Sequence, residues 1–163
     1  MLSLDQKNIR ASFVNASRKE IADITFSPGF DELDWDRLDY LGWRDPKMAK
    51  RAYIVVPTVD GPVGIVLKQA DAAPRSRAQC SWCQDVQLPN DVVVYGARRV
   101  GAAGRNGNTV ATLICAEFQC SSNVRKLPPT AYIGFDVEAA RQARIGVLRE
   151  RASEFALGIA NGS

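Results

Sequence analysis

The sequence predicts an α+β protein: a helical N-terminal segment, antiparallel β-hairpins, a compact cysteine-bearing module and a long C-terminal helix. Three observations predict it. Capping residues precede apolar positions spaced three or four apart near the N-terminus. Valine- and isoleucine-rich runs flank an Asp-Gly turn, and from Asp136 onward apolar residues recur on one stripe.

In order along the chain, Ser3 with Gln6 fits a capping box, and Ile9 and Phe13 share a helical face. A second short helix is expected at Ser17, with Glu20 as its box partner and Ile21 and Ile24 behind it. "SPGF" interrupts that pattern. Trp35, Leu38, Tyr40, Leu41 and Trp43 follow in an acidic frame and read as a lid over a core, closed by Pro46.

"RAYIVVPTV" and "VGIVLKQ" predict a hairpin joined through Asp60-Gly61. "ADAAPRSRAQ" reads as a loop, "DVVVYGARRV" and "VATLIC" as strands, and the glycine-rich "GAAGRNGNT" between them as a hairpin loop. "CAEFQCSSNVRK" reads as a short helix ended by "LPP". Asp136 then caps the long helix, whose expected stripe is Val137, Ile145, Leu148, Phe155 and Ile159. The natural division is residues 1–70, a helical segment plus hairpin, and 71–163, the cysteine-bearing domain with its C-terminal helix.

With 163 residues, 46% of them hydrophobic and 24% charged, the chain suits one soluble globular domain or a domain with a small helper module. No apolar run is long enough to span a bilayer, and "MLSLDQKNIR" lacks a signal pattern, so a cytoplasmic protein without membrane contact is expected. Residues 31 to 39 carry Asp31, Glu32, Asp34, Asp36 and Asp39 against Arg37, and basic residues dominate between Arg75 and Lys126. That asymmetry suits a partner of mixed charge; an unevenly charged solvated surface is the alternative.

Four cysteines carry the chemistry. Cys80 and Cys83 form a C-x2-C pair; after 31 residues, Cys115 and Cys120 form a C-x4-C pair at a strand-to-helix junction. Zinc takes four thiolates tetrahedrally at about 2.3 Å, which requires two short segments brought face to face. A knuckle turn, a hairpin and a ligand-bearing helix start would do this, the arrangement of a treble clef. One structural Zn²⁺ held by Cys80, Cys83, Cys115 and Cys120 is the expected cofactor. A redox dithiol would want its C-x2-C at a helix start in a βαβ setting, whereas "RSRAQCSWCQDVQLPN" is loop-like. Four unrelated buried thiols are the third reading. Arg77, Arg98, Arg99 and Arg125 lie near the cysteines in sequence and are candidates to offset the doubly negative site.

No feature points to an enzyme. The chain has no histidine, no P-loop, and carboxylate pairs only in the 31 to 39 stretch, which reads as a solvated face. A full thiolate set leaves the metal no open position, and no small-molecule substrate is expected. Trp82 is either packed beneath the knuckle or exposed as an anchor. Arg98, Arg99, Arg105 and Arg125 are candidates to meet acidic patches on a protein or phosphates on ribosomal RNA.

The segments "IRASFVNAS", "DELDWDRLDYLGWRDPKMAKRAYIVV", "CSWC" and "VVVYGARRVGAAGRNGNTVATLICAEFQCSSNVR" together resemble the elongation factor G-binding protein family. The likeness runs from about residue 7 to 155 and is narrowest to short actinobacterial-type members with the FBP treble-clef zinc finger. Better-characterised relatives are fusidic-acid resistance proteins. The resemblance implies that the zinc domain binds elongation factor G on the ribosome and promotes its release. It places the partner surface at Ser81 or Trp82 and at Arg105 to Thr109.

Overall fold

The computed structural model describes residues 1–72, 77–87 and 91–162. A five-stranded meander runs β1 (Leu41–Arg44), β2 (Arg51–Thr58), β3 (Gly61–Gln69), β4 (Val92–Arg98) and β5 (Thr109–Cys115), every neighbour antiparallel. Helices α1 (Gln6–Ser12) and α2 (Arg18–Ala22) precede it. Helix α3 (Gly101–Arg105) joins β4 to β5, α4 (Cys120–Arg125) follows β5, and α5 (Val137–Ala160) ends the fold.

Strand β2 explains the layering. Its residues 52 to 56 are all buried, a continuous apolar run rather than an alternating one, because both faces of the sheet are covered. Ala52, Ile54 and Val56 enter a large core with Leu148, Ala152 and the four cysteines. Tyr53 and Val55 enter a smaller one with Ile9, Phe13, Ile24, Phe30, Leu41 and Trp43. The sheet is thus a wall with α5 and the cysteines on one side and the N-terminal segment on the other. Each fully buried isoleucine contributes roughly 1.5–3 kcal/mol.

Ser17 and Glu20 form the expected capping box, but the first helix is capped by Asp5, which accepts from the Asn8 amide at 2.6 Å, not by Ser3. The β2–β3 turn lies one residue earlier than expected. Thr58 pairs with Gly61 around Val59 and Asp60, and Gly61 takes the positive φ of +116° that glycine tolerates. The aromatic lid contains a strand: Leu41 to Arg44 pair with β2, and Gly42 lets the Phe118 ring approach where a Cβ would stand 2.6 Å from it. The glycine-rich connection contains a short helix, Gly101–Arg105, in which Gly104 sits against the Arg99 carbonyl too closely for any side chain.

On α5 the buried stripe is Ile145, Leu148, Ala152, Ala156 and Ile159, with Phe155 at its margin. Two alanines replace the expected Val137 and Phe155, letting the helix approach the sheet closely. Asp136 caps it as expected. The expected division after residue 70 falls between β3 and β4, which pair through Lys68–Gly96 and Gln69–Tyr95. The larger core draws residues from both segments. Among the described residues, no helix is long and apolar enough to cross a membrane.

Candidate metal centre

The C-x2-C knuckle is held in place by its backbone. The Ser81 amide donates to the Leu113 carbonyl of β5 at 2.8 Å, and the Gln84 amide to the Cys80 carbonyl at 3.0 Å. Amides of Trp82 and Cys83 point at the Cys80 sulfur, both at 3.4 Å. Gln84 closes the turn with a φ of +53°. On the other segment Cys115 is the last residue of β5, and the Phe118 amide turns back to its carbonyl at 3.0 Å. Phe118 takes a φ of +57°, which swings Cys120, the first residue of α4, back over the site.

All four sulfurs are buried and lie within 4.8 Å of one another. Cys80–Cys120 and Cys83–Cys115 are each 3.6 Å apart. A tetrahedral zinc site at about 2.3 Å per sulfur requires roughly 3.8 Å between sulfurs, whereas a disulfide requires about 2.05 Å. The spacing fits the metal and excludes both disulfide pairing and four scattered thiols.

Charge points the same way. Hydrogen bonds from Cys115, Cys120 and Cys83 hold the Cys80 thiol far below its ordinary value, and those from Cys115 and Cys120 bring Cys83 to about 7. Burial pushes Cys120 well up. Cys115, though eased by its bond to Cys120, ends raised by Cys80 and Cys83. The sulfurs alone therefore favour only part of the charge of four thiolates, and a dication at their centre would stabilise the other two in the ionised form. Cys80, Cys83, Cys115 and Cys120 hold one Zn²⁺, which closes its coordination shell and supplies fold stability rather than an open catalytic position.

Three of the four arginines expected to offset that charge do other work. Arg98 lies beside Glu20, Arg99 donates to the Gly158 carbonyl, and Arg125 pairs with Asp39. Asn123 donates to the sulfurs instead, its Nδ2 standing 3.5 Å from Cys115 and 3.7 Å from Cys83. The acidic stretch is not wholly solvated, because Asp39 is buried between Arg125 and Arg149.

Trp82 is packed, not an exposed anchor: it is 3% exposed, donates to the Thr112 hydroxyl at 3.1 Å, and meets Tyr40 and Phe155 edge-on. From α5, Arg151 donates to the Ser81 and Trp82 carbonyls at 3.0 and 3.4 Å. Ser81, Arg98, Arg105 and Thr109 are exposed, Arg99 is half-buried, and Arg125 retains 17% side-chain exposure. Arg105 and Thr109 flank the tip between β4 and β5, while Arg98 turns toward Asn15 and Glu20.

No curated protein matches the sequence. Among solved structures, the fusidic acid resistance protein FusC resembles the chain at 19% identity and a TM-score of 0.47, covering 72% of this chain and 57% of its own. The chain thus spans little more than half of that protein's length. The family model described as the FBP C-terminal treble-clef zinc-finger matches residues 8–159, nearly the whole chain. With four sulfurs gathered from a knuckle and a strand-to-helix turn, the chain belongs to the FBP C-terminal treble-clef zinc-finger family.

Proposed function

We propose that this protein is a cytoplasmic, zinc-stabilised binding module for elongation factor G that performs no chemistry of its own and promotes the factor's release from the ribosome. Family membership supports this reading, together with the sequence's resemblance to elongation factor G-binding proteins. The observation that carries it is a contrast along the β4–β5 hairpin. The sulfurs are sealed around Cys115 at one end, while the tip at the other end, about 20 Å along β5, displays Arg105 and Thr109 to solvent. A closed metal that anchors the base of a hairpin with an exposed tip suits recognition, and arginine is a frequent anchor of interfaces.

Calorimetry of the zinc-loaded protein with purified elongation factor G tests the binding. Micromolar or tighter affinity is expected, weakened about tenfold by Arg105→Glu. No heat of binding from protein carrying one zinc per chain would overturn the proposal. Pelleting ribosomes stalled with the factor and fusidic acid tests release separately: the factor is expected in the supernatant when this protein is added. Retention in the pellet would remove the release step and leave binding intact.

A further inference from the structure

On the sheet face that carries α1, packing stops short of the β3–β4 junction. A cleft of about 630 Å³ opens there, walled by Lys50, Arg51, Lys68 and Arg98, with Asn15 and Glu20 across from them. Among the described residues, four cations meet a single carboxylate there. Arg51 and Lys68 are direct cross-strand partners, an arrangement of like charges that destabilises a sheet unless an anion sits between or above them. Among the described residues neither forms a salt bridge; Lys50 pairs with the exposed Asp71, and Glu20 approaches Arg98 only to 3.9 Å.

The floor of the cleft is Gly96, the β4 partner of Lys68 and therefore on the same face. Its φ is not positive, and a Cβ there would meet nothing nearer than 3.9 Å. Neither backbone conformation nor crowding calls for glycine, and close approach of a ligand to the backbone is one of the uses of a glycine inside a strand, beside bulges and bends. The walls are fixed. Asn15, 7% exposed, donates to the Val66 and Arg98 carbonyls at 3.1 Å each and accepts from the Val66 amide at 2.8 Å. It clasps β3 and β4 where they splay apart.

We propose that this cleft binds a run of phosphates, with Arg51, Lys68 and Arg98 as donors and Gly96 admitting the anion to the sheet. Several cations around one small volume match closely spaced negative charges, and guanidinium forks match phosphate oxygens. Among the described residues no aromatic lines the cleft to stack a base, so the contact is with the backbone or with a free polyphosphate chain. The proposal is independent of elongation factor G binding.

Fluorescence anisotropy of a labelled single-stranded RNA dodecamer with the zinc-loaded full chain tests it. Binding is expected to weaken steeply with added salt and about tenfold or more in the Lys68→Ala/Arg98→Ala double variant. Gly96→Val keeps every charge and suits a strand, so its melting temperature should hold or rise while RNA affinity falls about fivefold. Inorganic tripolyphosphate competing as well as unlabelled RNA would assign the site to free polyphosphate; RNA competing far better would assign it to a nucleic-acid backbone. Either outcome supports a phosphate site. Displacement by polyglutamate but not by tripolyphosphate would overturn it, as would wild-type RNA affinity in both variants or no binding by the wild type.

Discussion

Asn123 stands one helical turn beyond Cys120 and aims its amide at two of the four sulfurs. Ligands to a metal are oriented and electronically tuned by the groups that hydrogen-bond to them, and loss of such a group costs about 10–100-fold in affinity. Asn123→Leu should therefore weaken zinc binding by about that factor while leaving the four sulfurs in place. Competition against a chromogenic chelator measures this, and unchanged zinc affinity would show the contact to be incidental. The cysteines themselves were legible in the sequence, because metal-ligand spacing is fixed by the tetrahedron. Asn123 was not, because a single amide in a polar helical turn has no spacing signature. Trp82 shows the same limit: its place in the sequence suits an anchor or a packed ring equally, and only the neighbouring Tyr40, Thr112 and Phe155 decide.

Helices α4 and α5 are tied to the start of the sheet through one carboxylate. Asp39, with its side chain fully buried, accepts from Arg125 and Arg149 at 2.5 and 2.8 Å, and its backbone amide donates to Ser121 at 3.0 Å. Arg149 is 60% exposed, so solvent screens its share; Arg125, at 17%, would be left largely dry without its partner. Asp39→Ala should cost about 3 kcal/mol, seen as a lower denaturant midpoint. A shift below about 1 kcal/mol would show that water replaces the carboxylate. Element types were largely readable from caps and periodicity: Ser17 and Asp136 cap where expected, and β2 and β3 form their hairpin. Strand β1 was obscured by its aromatics. The α5 stripe was readable at Ile145, Leu148 and Ile159 but incomplete, because Ala152 and Ala156 look indifferent in sequence although they lie fully buried against the sheet.

At the scale of the whole molecule, one sheet carries both cores. Zinc draws together the knuckle, β5 and α4, and these pack against residues of β2 and β3. Metal affinity is folding free energy in such a protein. Chelation in mild denaturant should therefore abolish near-ultraviolet circular dichroism from the aromatics around Trp43 in the same transition as those around Trp82. Two separate transitions would show that the N-terminal layer stands alone. The division expected at residue 70 falls where "ADAAPRSRAQ" reads as a loop, but pairing between strands is a long-range fact. Lys68 and Gly96 carry no mark that makes them neighbours.

The brace supplied by Arg151 and Phe155 reaches the knuckle from the far end of the chain. Arg151 and Phe155 follow the fourth sulfur by 31 and 35 residues and supply no ligand themselves. The ion's grip and the clasp over it are thus separable, so truncation within α5 should yield a metallated but loosely held product.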